Sequence, residues 1–565
     1  MRKRLAGLIL ACLLFSPFFI LAQQFDAFHY YIQKKVTCKK AAVVCAHPLA
    51  SRAGIMMLQQ GGNAVDAAIA TQLALAVVFP GAGNIGGGGF MVAHLSNGKN
   101  ITIDYREKAP SRAKRDMYLD SLGNPVMALS QEGHLSSGVP GTIAGIFAAL
   151  KYAKLPIAKL ISPAIELAKN GFALTDAQAR SLNAERKDFL RLNAAPTVFV
   201  RASPWKSGDT LTQKDLAATL IRIRDHGQKG FYAGETARLI VEEMKRGQGI
   251  IGTDDLLQYQ AKERTAIEFD YKDFHIVTMP LPSSGGIILE QLLKMTGKEG
   301  LRSMGFQTPG SVQLMVEAER RAFGDRAEYM GDADFVQVPV KTLVSDAYIE
   351  KKMQDYKPGK AGNSRKTGAG MIKESEETTH FSVVDAEGNA VAVTTTLNNS
   401  YGSKIVVQGA GFILNDEMDD FSVKPGVPNM YGALGNEKNA ITPGKRMLSS
   451  MTPTIVLKNG QPYLVVGTPG GTTIPTSVFQ TLVNIIDFGL SPDDAVNRPK
   501  FHHQWIPDTV DIEKGFPKIT AEALEKMGYH LKTRGGIGRT DIIQITDHII
   551  TGIGDKRGDD DAEGY

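Results

Sequence analysis

The sequence predicts an α+β protein in which helices and sheets stack as layers. Three observations carry that prediction. Between about residues 140 and 330 apolar residues recur at helical spacing, as in G-I-F-A-A-L-K-Y-A-K, A-A-T-L-I-R-I-R-D-H and G-I-I-L-E-Q-L-L-K-M. Beyond residue 378 the texture becomes strand-like: H-F-S-V-V-D, G-N-A-V-A-V-T-T-T-L, T-P-T-I-V-L and P-Y-L-V-V-G lie between Gly, Asn and Asp turns. Residues 355–377, between the two, are Lys, Gly, Ser and Glu with almost no large apolar side chains. Such a stretch cannot bury enough surface to offset its ordering entropy, so it is expected to be mobile.

At 565 residues the chain exceeds one ordinary core. Its 43% hydrophobic and 22% charged fractions are those of a soluble globular protein. The net charge of +5 is mild for this size and makes no case for nucleic acid, which needs a clustered basic face.

Taken in order, Arg2, Lys3 and Arg4 precede an apolar run from Leu5 to Leu21, and Ala22 offers a small residue for cleavage. Residues 1–22 therefore read as an export signal, which places the mature protein in the periplasm or outside the cell. A retained anchor is the competing reading, although Ser16-Pro17 interrupts the run; Cys12 is also a conceivable lipid site. No later segment reaches the ~20 apolar residues of a membrane helix. A buried strand is expected over 41–46, then helices over 48–60 and 63–78 parted by Gly61-Gly62. The second helix is alanine-rich and suits a place between layers. The run N-I-G-G-G-G-F is not followed by Lys-Ser/Thr and runs into a strand-like element, so glycine here is expected to permit close backbone approach rather than to cradle phosphate. The segment 101–110, I-T-I-D-Y-R-E-K-A-P, reads as a strand ending in a turn, and helices are expected near 474–488 and 519–527.

Of three cysteines, signal removal would leave Cys38 and Cys45, which is no disulfide framework. A bridge between them is conceivable in an exported protein; Cys45 also suits a small core position. His502 and His503 are adjacent, and strand neighbours point to opposite faces. No metal site and no cofactor are expected.

At the seam E-S-E-E-T-T-H-F, Thr378 and Thr379 suit a plain strand start. They also suit a cut. A threonine hydroxyl needs a base close by, and an N-terminal threonine carries one in its own α-amine, whose ordinary pKa of ~7.7–8.0 lies near neutrality.

Motifs elsewhere decide between these. T-T-H-F-S-V-V-D, V-A-V-T-T-T-L-N, G-F-I-L-N-D-E-M-D-D-F, R-M-L-S-S-M-T-P-T and V-G-T-P-G-G resemble, in order, the γ-glutamyltransferases, also called glutathione hydrolases. So do the upstream G-G-N-A-V-D-A-A-I-A, N-I-G-G-G-G-F, D-Y-R-E-K-A-P and S-S-G-V-P-G-T, and the ending D-A-E-G-Y.

The resemblance implies a four-layer αββα sandwich of the N-terminal nucleophile hydrolase type and a precursor that cuts itself between Glu377 and Thr378. A large subunit of residues 23–377 and a small one of 378–565 would then form a heterodimer. Thr378 is implied as the nucleophile, Thr396 as the hydroxyl that holds it, and Gly470 with Gly471 as the oxyanion hole. Arg106, Ser449 and Ser450 are implied to bind a γ-glutamyl α-carboxylate. Glu417, Asp420 and Asn398 are implied to bind its α-ammonium. The acidic run Asp416, Glu417, Asp419, Asp420 could otherwise be a solvated turn; read as a strand-like stretch, it turns Asp416 and Asp419 away. Residues between Phe421 and Ser449 resemble a lid, with Tyr431 near its tip, which implies small donors such as glutathione and amino-acid or peptide acceptors. Two rivals stand beside this reading: a glutaryl (cephalosporin) acylase-type amidase, and an uncut, non-catalytic envelope binding protein.

Overall fold

Two seven-stranded antiparallel sheets lie face to face in the computed structural model, which describes residues 26–297, 300–364, 378–424 and 437–565. The export signal, Glu377 and Tyr431 fall outside the described residues. In chain order the strands are β1 (Lys35–Cys38), β2 (Ala42–Cys45), β3 (Gly88–His94), β4 (Asn100–Asp104), β5 (Lys262–Arg264), β6 (Ile267–Tyr271) and β7 (Phe274–Thr278). They continue with β8 (Thr378–Val384), β9 (Ala390–Thr396), β10 (Thr454–Lys458), β11 (Gln461–Gly467), β12 (Asp541–Thr546), β13 (Ile549–Ile553) and β14 (Asp561–Gly564). One sheet runs β1-β13-β12-β11-β10-β7-β6 and the other β14-β2-β8-β9-β3-β4-β5.

Helices cover both outer faces. Helices α1 (Pro48–Gln59) and α2 (Ala64–Val78) pack on the second sheet around Val43, Phe381 and Val383. Helices α3 (Gly285–Gly297), α4 (Pro309–Tyr329) and α5 (Thr473–Ile486) pack on the first, around Val456, Leu464 and Val466. Between the sheets lie Val44, Phe90, Val384, Ala392, Ile455, Val465 and Ile543. This is the αββα sandwich.

All fifteen residues of α2 are buried, as its sandwiched position demands. Its polar start is satisfied locally. Asn63 and Asp66 form a capping box, and Asp66 also accepts N–H bonds from Lys154 and Leu155. Strand β8 is buried along its whole length, so its alternation separates two buried faces rather than a dry one from a wet one. Phe381 and Val383 meet the helices, while Thr378, His380, Ser382 and Val384 share the face turned to the other sheet.

One expectation is corrected. Residues 357–364 were expected to be mobile, yet Ser364 is buried and the backbone from Lys357 to Ser364 is held by hydrogen bonds from several sides. Polar partners replace the apolar burial the stretch lacks. Cys38 and Cys45 are both free thiols: Cys45 is buried beside Ser51, and Cys38 donates to Ala41 O at 3.2 Å.

The chain before residue 378 and the chain after it alternate within both sheets. β1, β6 and β7 flank the later strands of one sheet, and β2 sits between β14 and β8 in the other. A cut at 378 would leave either fragment without its sheet neighbours. Among the described residues no helix is long and apolar enough to cross a membrane.

Candidate active site

Thr378 opens β8 and is the direct cross-strand partner of Thr396, the last residue of β9. Both side chains face the space between the sheets, at its open end. There a pocket of about 280 Å³ is lined by Arg106, Thr378, Thr396, Asn398, Glu417, Asp420, Ser449, Ser450, Met451, Gly471 and Ile474. Of the residues expected here, Gly470 adjoins the pocket without lining it, and Tyr431 lies outside the described residues. All the others meet.

The position of Thr396 depends on the glycine run. Gly87 lies against the Thr396 carbonyl, and a Cβ there would stand 2.1 Å from that oxygen. At Gly86 it would stand 2.1 Å from Ile413 O, and at Gly89 2.5 Å from Thr394 O. Close backbone approach is thus the reason for the run. Asn84 reinforces it, donating to Thr396 O (2.9 Å) and Thr395 Oγ1 (3.1 Å) while accepting from Gly87 N–H and the Thr142 hydroxyl. Gly87→Ala is therefore expected to cost about 1–3 kcal/mol through overpacking. It should lower turnover at least tenfold by displacing the end of β9; unchanged melting temperature and turnover would contradict this account.

Past the end of β9 the chain turns back. Asn398 has φ 81°, a left-handed conformation that asparagine tolerates, and its backbone N–H donates to Thr396 Oγ1 at 2.8 Å. Asn415 ties this corner to the glycine run by donating to Gly86 O and Gly138 O and accepting from Gly138 N–H and Glu417 N–H. The acidic run is not strand-like. Glu417–Asp420 form a 3₁₀ turn, in which residues three apart stack on one face. That spacing aims Glu417 and Asp420 together at the pocket. Asp416 and Asp419 do face away from it, into buried contacts with Asn399 and Ser130.

Arg106 lies two residues beyond β4 and is 1% exposed. Its guanidinium makes ion pairs with Glu417 and Asp420 and approaches Glu107 at 3.6 Å. Burial opposes its charge, but the three carboxylates more than offset this and push its pKa above the ordinary value. Burial also raises Glu417 well above the usual carboxylate range, against the attraction of Arg106, and pushes Glu107 up to about 8. Among the described residues neither carboxyl group accepts a well-formed hydrogen bond, although both are fully buried; Glu417 is held by its ion pair with Arg106. The pocket therefore sets one buried cation, Arg106, beside the carboxyl groups of Glu417 and Asp420.

Ser449 is placed by Ser284, whose N–H and hydroxyl both donate to Ser449 O at 2.8 Å, and by its own N–H to Pro282 O. Asn439 joins two walls of the site, donating to Asp420 O and accepting from Leu448 N–H. This corrects the expectation of a structureless connection up to Ser449: residues 437–448 are ordered, and Ile441, Met447 and Leu448 are buried. On the opposite wall Gly470 (φ 133°) and Gly471 (φ 56°) carry the chain from β11 into α5. Both lie in the left-handed range that favours glycine. Gly471 and Ile474 line the pocket, so the N-terminal end of α5 abuts it.

His380 packs its ring on Gly467 and contacts the Thr394 and Ser382 hydroxyls. Burial lowers its pKa to about 3, so it is neutral at any ordinary pH. Among the described residues no group of His, Cys, Asp and Glu is arranged to hold a metal ion.

Sequence reasoning passed over Asn84, Glu107, Asn415 and Asn439. The first three sit inside motifs it had singled out, but Asn84 and Asn415 reach Thr396 and Gly138, which lie far away in sequence. Asn439 lay in the stretch taken for a lid.

A threonine opening a central strand, set between the sheets of an αββα sandwich, defines an N-terminal nucleophile hydrolase fold. The chain belongs to the gamma-glutamyltranspeptidase family, whose model matches residues 50–565. It is 44% identical over 547 residues to the glutathione hydrolase proenzyme of Escherichia coli (strain K12), covering 96% of this chain and 93% of that one. Among solved structures, cephalosporin acylase from Bacillus halodurans matches with a TM-score of 0.80 and 26% identity, over 96% of this chain and 100% of that one. The gamma-glutamyltranspeptidase of Helicobacter pylori matches with a TM-score of 0.55 and 45% identity, over 56% of this chain and 91% of that one.

Proposed function

We propose that this chain is a self-processing γ-glutamyltransferase and glutathione hydrolase. The observation that carries the reading is Arg106 beside Glu417 and Asp420, in one buried pocket with Thr378. A γ-glutamyl donor ends in an α-carboxylate and an α-ammonium. The guanidinium fork suits the carboxylate, helped by the Ser449 and Ser450 hydroxyls. Glu417, Asp420 and Asn398 suit the ammonium, a cation that needs anionic or carbonyl partners once buried. The ligand would replace the internal ion pairs with matching external ones.

Maturation comes first. Thr378 Oγ bonds to the Glu377 carbonyl carbon, the C–N bond breaks, and the hydroxyl proton ends on the freed amine. Water then hydrolyses the ester, restoring the hydroxyl and leaving the Glu377 carboxylate. The large subunit spans 23–377 and the small one 378–565, and the interleaved sheets hold them together. In turnover the α-amine takes the hydroxyl proton as Oγ attacks the γ-carbonyl, and returns it to the leaving amine, cysteinylglycine in the case of glutathione. Water or an amino-acid or peptide amine then takes the γ-glutamyl group from Thr378. Backbone N–H groups at Gly470 and Gly471 receive the oxyanion, a contribution worth roughly 10²–10³ in rate. Thr396 orients the nucleophile. The basic, apolar start of the chain supports export to the periplasm or beyond.

The second reading, a glutaryl acylase, is favoured by the fold match to a cephalosporin acylase. A glutaryl group has no ammonium, and the acidic pair would face it unpaired. One preparation tests both readings. A denaturing gel should show two bands, the smaller beginning T-T-H-F, and γ-glutamyl-p-nitroanilide should be cleaved much faster than glutaryl-p-nitroanilide. A single uncut band with no activity would support a binding protein, and the opposite substrate preference an acylase.

A further inference from the structure

The adjacent histidines His502 and His503 serve different neighbours, and one of them belongs to a network that ends beside the turn carrying Gly470 and Gly471. His503 Nδ1 accepts from Trp505 N–H at 3.0 Å, and its Nε2 lies 3.2 Å from Asp508. His502 turns instead to the start of α5, where the Thr476 hydroxyl lies 2.8 Å from its Nδ1 and 3.0 Å from Thr473 O. Its Nε2 lies 2.9 Å from Gln504 Oε1, an acceptor, so the ring proton belongs on Nε2. The Thr472 hydroxyl donates to the same oxygen at 2.6 Å. Thr472, Thr476, His502 and Gln504 are all buried, and burial lowers the His502 pKa to about 3, so the ring stays neutral with a single N–H. The segment that carries His502 and Gln504 is fixed from elsewhere. Gln480 of α5 donates to Phe501 O at 2.6 Å and accepts from Phe501 N–H at 3.2 Å, and Glu319 of α4 accepts from His503 N–H at 2.8 Å. The glycine carbonyls are held too: Thr473 N–H and hydroxyl both donate to Gly470 O (3.0 and 2.7 Å), and Ile474 N–H donates to Gly471 O at 3.1 Å.

We propose that Gln504, oriented by His502, is a positioning residue for the oxyanion site, acting through the Thr472 hydroxyl on the Gly470-Gly471 turn. This rests on the reading that backbone N–H groups of that turn receive the oxyanion. Two consecutive glycines in left-handed conformations make a turn with no side chains of its own to brace it, built from the most permissive residue type. Donors that stabilise a transition-state charge must be fixed before the charge appears, or part of the stabilisation is lost to reorganisation. The bond from Thr472 to Gln504 braces the turn at the residue that follows it, and the His502 N–H keeps the Gln504 amide from rotating. Neither Thr472 nor Gln504 lines the pocket around Thr378, so the network acts by placement and not by contact with substrate.

The test compares Thr472→Val, which keeps the shape and removes the hydroxyl, with Thr472→Ser, which keeps the hydroxyl. Cleavage of γ-glutamyl-p-nitroanilide is followed, with kcat taken per processed small subunit. Thr472→Val is expected to lower kcat about tenfold and to leave KM within about twofold, because oxyanion contacts arise only in the transition state. Thr472→Ser should stay within about threefold of wild type in both constants. Gln504→Ala should lose about as much as Thr472→Val, and the double variant should fall no more than about twofold below the slower single one, since both changes remove one shared bond. Wild-type kcat in Thr472→Val and Gln504→Ala overturns the proposal, as do a loss confined to KM, fully additive losses, or a Thr472→Ser enzyme as slow as Thr472→Val. A Thr472→Val chain that melts far below wild type or stays uncut also overturns it, by making the hydroxyl a contact of the fold. A wild-type enzyme that leaves the substrate intact would instead sink the functional reading, and the network's role with it.

Discussion

Thr378→Ala should yield a single uncut chain with no detectable transfer or hydrolysis. This is the largest effect expected of any substitution in the protein, because on the proposed mechanism one hydroxyl serves both self-cleavage and turnover. Removing a covalent nucleophile commonly costs four or more orders of magnitude in kcat, roughly 5 kcal/mol or more of transition-state stabilisation. Here the loss is compounded, since an uncut chain has no free α-amine at residue 378 to act as base. The fold should survive: the substitution removes one methyl and one hydroxyl at the end of β8, beside an open pocket. Its melting temperature should therefore lie within a few degrees of an uncut reference. Thr378→Ser keeps hydroxyl and amine but loses the β-methyl group that restricts χ1, so it should cut and turn over, more slowly. Two normal subunits from Thr378→Ala, seen by mass spectrometry, would remove Thr378 from self-cleavage. Full activity in uncut material would remove the amine from the mechanism.

The layers were legible in the sequence because helical and strand periodicity leave different marks on apolar spacing. At 378 a composition change meets a residue type with its own chemistry, but that local pattern suits a plain strand start as well, and only the motifs elsewhere favour a cut. The acidic run was read less well. It was read as strand-like, whereas the 3₁₀ turn at Glu417–Asp420 places the two expected carboxylates on one face by a spacing of three. A run of four acidic residues around one Met carries no period that separates the two. The hold on residues 357–364 was illegible for another reason. Its partners, Gln313, Glu317, Arg320, Asp508 and Trp505, are far away in sequence, and polar partners leave no hydrophobic signature. The same holds for Asn84, Asn415 and Asn439, whose hydrogen bonds join segments that periodicity treats separately.

The internal pairing of Arg106 with Glu417 and Asp420 sets the second large effect, that of Asp420→Asn. In wild type the carboxylate pairs with the guanidinium, and on the proposed reading it also offers an anion to the donor's ammonium. Asparagine keeps the size and one oxygen but loses the charge, so the bound ammonium loses a charge-assisted partner worth about 2–4 kcal/mol. For γ-glutamyl-p-nitroanilide this predicts a fall in kcat/KM of about 10²–10³. Most of it should appear in KM, because the contact exists in ground and transition states alike, with a smaller part in kcat from looser placement of the γ-carbonyl. Glutaryl-p-nitroanilide supplies the control. It has no ammonium, and in wild type its carboxylate must occupy Arg106 while Asp420 is left facing an empty place. Removing the Asp420 charge should leave its slow cleavage unchanged or improve it severalfold, so the ratio of the two substrates should collapse from both sides. An equal loss on both substrates would mean that Asp420 merely orients Arg106 and that the ammonium is bound elsewhere.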